Sequence, residues 1–235
     1  MLSPLAIKLI QILPEGLVVK FAQTIVKGYI KKNARLNIEG YEKLESLEGP
    51  FIFICNHLSN SDGLILDYIL KEKYDPFFIA GAKLSDDAIT SLGTKIVKNI
   101  QVKPNTADKE AITSMVKTVK GGESLMMFPE GTRSRTGGMI EGKKGVLLIA
   151  RLTKAKIIPI GMSGTDKLLP INKTGDMGSE KWNLADVTIK FGDPVIISKR
   201  DKENEEKHAY DDRCLNTMMK SIAELLPENY RGVYK

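Results

Sequence analysis

From residue 35 onward, short apolar runs alternate with stretches whose apolar residues recur every three or four positions. The runs Arg35 to Gly40, Pro50 to Asn56, Phe77 to Ala80, Ile100 to Val102, Leu125 to Phe128, Ile157 to Gly161 and Val187 to Phe191 predict strands, with Val195 to Ile197 as a continuation of the last. Between them, Asp62 to Lys73, Asp86 to Lys98, Thr106 to Lys120, Lys143 to Lys154 and a long segment within Glu203 to Leu226 predict helices, the last closed by Pro227. Strand and helix in alternation point to an α/β fold, a mostly parallel central sheet flanked by helices. No linker or repeat interrupts the span, so residues 35–235 read as one domain. In open sheets of this kind, sites gather where the carboxyl ends of strands lead into helices.

Residues 1–34 follow a different pattern. An apolar stretch from Leu5 to Leu13 ends at the turn signal Pro14-Glu15-Gly16, and a second helical segment follows. In that segment Val18, Ala22, Ile25 and Tyr29 repeat at helical steps, while Lys20, Thr24, Lys27 and Lys31 repeat the same steps two residues out of phase. Two residues correspond to roughly 200° around a helix, so the apolar and lysine stripes oppose one another. The prediction is an N-terminal amphipathic helical hairpin.

Charge sharpens this picture. The chain carries +6 in all, and residues 1–35 hold six basic residues against the single acid Glu15, so nearly the whole excess sits at one end. Two readings fit. In one, the hairpin is a membrane-binding segment lying among anionic headgroups; in the other, it packs on its own domain and shows solvent a basic face. No uncharged apolar run approaches the ~18 residues that span a bilayer, and nothing resembles a signal cleavage site. The expected placement is peripheral or monotopic, at the cytoplasmic face of a membrane. Cys55 and Cys214 lack disulfide-framework or zinc-ligand spacing, so no metal is expected and a reducing compartment is. The basic stripe has no interleaved aromatics for stacking on bases, which argues against nucleic acid as a partner.

Two strand-to-helix loops carry the candidate chemistry. The first, Asn56-His57-Leu58-Ser59-Asn60-Ser61-Asp62-Gly63, follows the apolar run Phe51 to Cys55. His57 and Asp62 would diverge on a continuous helix and meet only if Ser59, Asn60 and Ser61 make a turn. Once together, the carboxylate fixes the imidazole's tautomer and leaves the other ring nitrogen free to take a proton from a hydroxyl. The alternative is that His57 ends a strand and Asp62 is simply an acid at a helix N-terminus. The other histidine, His208, lies in the charged stretch Asp201 to Asp212, which reads as a solvated helix face.

The second loop runs Phe128-Pro129-Glu130-Gly131-Thr132-Arg133-Ser134-Arg135-Thr136-Gly137-Gly138. Glycines admit close backbone approach, and Arg133 and Arg135 offer paired donors to a phosphate, with Glu130 placed to orient them or to meet a substrate hydroxyl. The alternative is an ordinary basic surface loop. No Gly-Lys-Ser/Thr follows, so this is not a nucleotide P-loop.

Asn56-His57-x4-Asp62, followed about seventy residues later by Phe128-Pro129-Glu130-Gly131-Thr132-Arg133-Ser134, resembles the glycerolipid acyltransferase family, in particular its bacterial 1-acylglycerol-3-phosphate acyltransferases. A third element, Ile157-Ile158-Pro159-Ile160, is similar to the family's strand ending in proline, and the likeness spans about residues 35–197. The resemblance implies His57 as general base, Asp62 as its orienter, and Glu130, Gly131, Thr132 and Arg133 around the acceptor's phosphate. It also implies a fatty acyl group passing from acyl-CoA or acyl-carrier protein, as co-substrate, to a hydroxyl of lysophosphatidate, another lysophospholipid or glycerol phosphate. No cofactor and no acyl-enzyme are implied.

One block departs from the family pattern. Where the family places an arginine after a strand, this chain reads Ile100-Gln101-Val102-Lys103-Pro104-Asn105. Lys103 is the candidate substitute, with Lys109 further on, but a lysine lacks the bidentate fork of a guanidinium. Cys55 reads as a buried thiol rather than a nucleophile. A hydrolase acting through Ser59 or water is the competing enzyme reading, without a Gly-x-Ser-x-Gly elbow in support; a non-catalytic lipid-binding protein is the other alternative.

Overall fold

The computed structural model describes residues 14–81, 95–103, 106, 108–172 and 179–235. The first arm of the expected hairpin and most of the helix expected over Asp86 to Lys98 lie outside the described residues. The elements are α1 (Glu15–Asn33), β1 (Ala34–Glu39), β2 (Phe51–Cys55), α2 (Ser61–Leu70), β3 (Phe77–Gly81), β4 (Asn99–Val102), α3 (Lys109–Lys120), β5 (Leu125–Met127), α4 (Gly145–Thr153), β6 (Lys156–Ser163), α5 (Thr165–Leu168), β7 (Ala185–Phe191) and α6 (Lys207–Ala223), with short 3₁₀ turns at Tyr41–Ser46, Glu228–Tyr230 and Gly232–Tyr234.

Seven strands form one sheet in the order β1-β7-β6-β2-β5-β3-β4. Its pairings are parallel except β6 with β7, where Ile160 faces Phe191 in antiparallel register. The mostly parallel α/β architecture is therefore as expected, with one reversal near an edge. Central β2 is buried along all five residues, as a strand covered on both faces must be. Its side chains alternate between two cores. Ile52 and Ile54 pack with Met115, Val146 and Met218 beneath α3, α4 and α6, while Phe51, Phe53 and Cys55 pack with Ile30, Ile65 and Leu66 beneath α1 and α2.

Several boundaries differ from expectation. Residues 195–197 form no strand; Val195 only donates its N–H to the carbonyl of Ile157, at 2.9 Å. The third helix begins at Lys109 rather than Thr106, because the Asp108 side chain accepts from the N–H of Ala111 and caps it there.

Helix α1 packs one face on its own domain and leaves another in solvent. Val18, Ala22 and Ile30 are buried on the domain, while Leu17, Phe21, Ile25 and Tyr29, four residues apart, stand exposed at 54%, 67%, 40% and 47%. Lys20, Lys27 and Lys31 are exposed as well. Ile25 and Tyr29, expected on the same stripe as Val18 and Ala22, thus belong to a separate solvent-facing row. No helix among the described residues is long and apolar enough to cross a membrane.

Candidate active site

The end of β2 delivers Asn56 and His57 into the turn that starts α2. Asn56 is fully buried and exchanges hydrogen bonds with the backbone of Met162 on β6, Nδ2 to the carbonyl and Oδ1 from the N–H, both 2.8 Å. This anchor fixes where His57 leaves the sheet. His57 Nδ1 lies 2.7 Å from Asp62 Oδ2, and the same oxygen accepts the backbone N–H of Leu58 at 2.7 Å and of Ser59 at 2.8 Å. An oxygen held by two N–H donors is an acceptor toward the ring. The proton therefore sits on Nδ1, and Nε2 is left as the proton-accepting nitrogen. Asp62 is wholly buried in the first turn of α2, where the helix dipole favours an anion. The His57 ring stacks on Phe128 with centroids 4.1 Å apart and planes 17° apart, which fixes its tilt.

Main-chain contacts stitch this turn to the loop after β5. Ser134 donates its N–H to the carbonyl of His57 at 2.7 Å. In return, the N–H of His57 donates to Glu130 Oε1 at 2.8 Å, and Glu130 Oε2 accepts the N–H of Ile140 at 2.9 Å. Glu130 is 1% exposed, and burial pushes its carboxyl up to about 7 against the two backbone donors that favour the anion. Expected from the motif to meet the acceptor, Glu130 has both oxygens turned to backbone behind the site. Its geometry is that of a residue that positions loops.

A cavity of about 660 Å³ opens beside His57, between the sheet and helices α3 and α4. Its wall is mainly apolar, with Phe78, Ile79, Ala111, Met115, Val146 and Ile149 prominent. Of the expected site residues, His57, Lys103, Gly131 and Thr132 line it; Asp62, Glu130 and Arg133 do not. Gly131 takes φ +68° there, a conformation costly for other residues. Arg133 instead donates from Nη1 to Glu180 Oε1 at 2.9 Å, while Asn60 Nδ2 donates to Glu180 Oε2 at 2.7 Å.

Sequence reasoning did not single out Glu180, nor Lys143, which lines the cavity and lies over Gly131. Glu180 comes from a polar stretch with no motif of its own. For Lys143, its position shortly after the Gly-rich loop that follows β5 was the available signal. The polar stretch from Gly161 to Lys167 turns toward the C-terminal segment: Asp166 accepts from the Tyr230 hydroxyl at 2.9 Å, and Gly161 backs onto Leu225.

The competing nucleophiles are otherwise engaged. Ser59 is buried and its hydroxyl donates to the carbonyl of Leu169 at 2.7 Å. Cys55 is fully buried, and burial, with the charges of Asp62 and Glu130, pushes its thiol well up. His208 is exposed and pairs with Asp212 at 2.8 Å. Among the described residues no cluster of His, Cys, Asp and Glu is arranged to hold a metal ion.

Residues 35–163 match a family model described as Acyltransferase. A chloroplastic 1-acyl-sn-glycerol-3-phosphate acyltransferase of Brassica napus is 29% identical over 165 residues, covering 68% of this chain and 45% of that protein. A 1-acyl-sn-glycerol-3-phosphate acyltransferase of Haemophilus influenzae is 28% identical over 187 residues, covering 77% and 72%. The chain thus spans about half the length of the plant relative it matches. The crystal structure of the 1-acyl-sn-glycerophosphate acyltransferase PlsC from Thermotoga maritima shares the fold, with a TM-score of 0.60 at 21% identity, covering 90% of this chain and 83% of that one.

Proposed function

The chain belongs to the acyltransferase family, and from that premise we propose that it transfers a fatty acyl group from a thioester donor to the free hydroxyl of lysophosphatidate, giving phosphatidate. The observation that carries this reading is the His57–Asp62 pair, 2.7 Å apart, set in the wall of a mainly apolar cavity of about 660 Å³. Such a cavity is in the range of small-ligand sites and offers an acyl chain an apolar environment next to the base.

In the proposed reaction, His57 Nε2 takes the acceptor's hydroxyl proton as its oxygen attacks the thioester carbonyl. Asp62 stabilises the imidazolium that forms. The new C–O bond completes the ester, the C–S bond breaks, and the proton passes from His57 to the departing thiolate. No protein nucleophile is required, in keeping with the burial of Cys55 and the engagement of Ser59. Acyl-CoA and acyl-carrier protein are both candidate donors.

The exposed row on α1, bordered by lysines, supports docking at an anionic membrane surface where the acceptor resides, and the buried free thiols Cys55 and Cys214 fit the cytoplasmic face. The test is acyl transfer to lysophosphatidate in mixed micelles, run with each donor. Phosphatidate formation that disappears in His57→Ala, with micelle binding retained, is the expected result. Release of free fatty acid in place of phosphatidate would make the protein a hydrolase.

A further inference from the structure

The turn that carries His57 is held from behind by a segment far along the chain. Past α6, residues 228–234 make the 3₁₀ turns Glu228–Tyr230 and Gly232–Tyr234. They grip the loop between β5 and α4 at three points. Met139 donates its N–H to the carbonyl of Tyr230 at 2.9 Å, and its own carbonyl accepts the N–H of Val233 at 3.1 Å. The N–H of Gly142 donates to the hydroxyl oxygen of Tyr234 at 3.0 Å.

The grip is close. Met139 and Tyr230 are 1% and 7% exposed and belong to the core beneath α3, α4 and α6. Gly232 takes φ +54°, and a Cβ there would run into the carbonyl oxygen of Met139. A Cβ on Gly138 would stand 2.9 Å from the Cα of Gly232, so the two backbones touch with no side chain between them. The gripping segment is itself anchored. Tyr230 donates its hydroxyl to Asp166 Oδ1 at 2.9 Å, and Arg231 Nε donates to the carbonyl of Leu226, just past α6, at 3.0 Å.

Ile140 lies between the gripped residues. Its N–H donates to Glu130 Oε2 at 2.9 Å, and Glu130 Oε1 accepts the N–H of His57 at 2.8 Å. The path to the base is thus continuous, from residues 230–234 through the loop 139–142 and a buried carboxylate to the main chain of His57. Glu130 is 1% exposed, so water does not readily replace a partner lost along that path. None of residues 138–142 or 228–234 lines the cavity, so this path reaches the base without passing through a ligand.

We propose that residues 230–234 form a hook that sets the position of His57, with Gly232 and Tyr234 as positioning residues acting through the loop 139–142 and Glu130. For the reaction it affects, this inference rests on the acyltransferase reading, and it goes beyond that reading by assigning a role to a segment outside both strand-to-helix loops. A general base must sit within hydrogen-bond reach of the hydroxyl it deprotonates, and a displacement of about 1 Å can cost on the order of 10²-fold in rate.

The experiment is steady-state acyl transfer to lysophosphatidate in mixed micelles by wild type, Tyr234→Phe, Gly232→Ala, Glu130→Gln and the double variant of Tyr234→Phe with Glu130→Gln. Amide hydrogen exchange is followed by NMR on the same proteins. Tyr234→Phe deletes one hydrogen bond while keeping the ring, and should lower kcat about 3- to 10-fold; Gly232→Ala should lower it on the order of 10²-fold. Acceptor and donor KM should stay within about twofold of wild type. The double variant should be little worse than Glu130→Gln alone, because both changes act along one path, whereas a segment that only stabilises the fold would give losses that multiply. Exchange at the N–H groups of His57 and Ile140 should quicken in both hook variants while Phe53, in the centre of the sheet, stays protected. Tyr234→Phe decides the matter if Gly232→Ala fails to fold. Unchanged kcat, a changed KM in place of a changed kcat, multiplying losses in the double variant, or unchanged exchange at His57 would each overturn the hook. Wild type that does not acylate lysophosphatidate overturns the acceptor reading alone; exchange then decides the hook, quickened at His57 and Ile140 in its favour and unchanged against it.

Discussion

The backbone N–H of His57 donates to Glu130 Oε1 at 2.8 Å, so the turn carrying the candidate base is tied to the loop after β5 through a buried carboxylate. Glu130 is 1% exposed, and burial raises its carboxyl from 4.5 to about 7. With the folded value above the unfolded one, the folded state keeps its proton across the window from 4.5 to about 7, where the unfolded chain has lost it. Stability is therefore expected to fall as pH rises through that window and to level off above it, by at most about 3 kcal/mol. Glu130→Gln should flatten this slope, read as the difference in urea midpoint between pH 5 and pH 7.5. A variant that keeps the full slope would assign it to another group.

His57 and Asp62 should separate cleanly in kinetics. Asp62→Asn keeps the volume but offers an amide where Nδ1–H needs an acceptor, which favours the wrong tautomer. A fall in kcat on the order of 10³- to 10⁴-fold is expected, with acceptor and donor KM little changed. His57→Ala should be at least as inactive while still folded, since the side chain is about one-fifth exposed. Substantial turnover in His57→Ala would remove it as the base.

How far the sequence reaches is clearest at particular residues. Strand β2 is legible because five consecutive apolar residues have no other comfortable place than a doubly covered strand. The turn of His57 onto Asp62 is legible because short polar residues separate them. The direction of β7 is not, since alternation with period two is the same whichever way a strand runs. The aim of Glu130 is hidden for a related reason: an acid in a Gly-rich loop reads as exposed, and only tertiary contacts with His57 and Ile140 turn it inward. Glu180 meets Arg133 across 47 residues of chain, a distance no local pattern encodes.

Cys55 lies one residue before Asn56 and two before the candidate base, yet it is 0% exposed on the face of β2 opposite Ile54. Its raised thiol leaves little thiolate at neutral pH. Cys55→Ala should therefore retain acyl transfer within about twofold, and it should lose on the order of 1 kcal/mol of stability from the lost packing of one sulfur. Intact-mass measurement during turnover checks the same point, because no acylated protein should accumulate. An acyl adduct lost on Cys55→Ala would establish covalent catalysis.

The row Leu17, Phe21 and Ile25, continued by Tyr29 where it stacks on Trp182, is the apolar feature of α1 that stands exposed. Since Val18, Ala22 and Ile30 carry the packing, charge placed on the outer row should spare the fold. Phe21→Glu combined with Ile25→Glu removes two apolar side chains from a membrane contact and adds two repulsive charges facing anionic lipid. Each large apolar side chain contributes about 1.5–3 kcal/mol when fully buried, so partial insertion of both predicts a loss of at least about tenfold in partitioning onto anionic vesicles. The thermal midpoint should stay within about 3 °C of wild type, and turnover of a short-chain, water-soluble acceptor should persist while turnover of vesicle-bound lysophosphatidate falls. Sedimentation with vesicles containing phosphatidylglycerol, against vesicles of phosphatidylcholine alone, reads the two contributions separately: a preference for the anionic surface isolates Lys20, Lys27 and Lys31, and the residual binding isolates the apolar row. Unchanged sedimentation in the double variant would assign the row to a contact other than lipid.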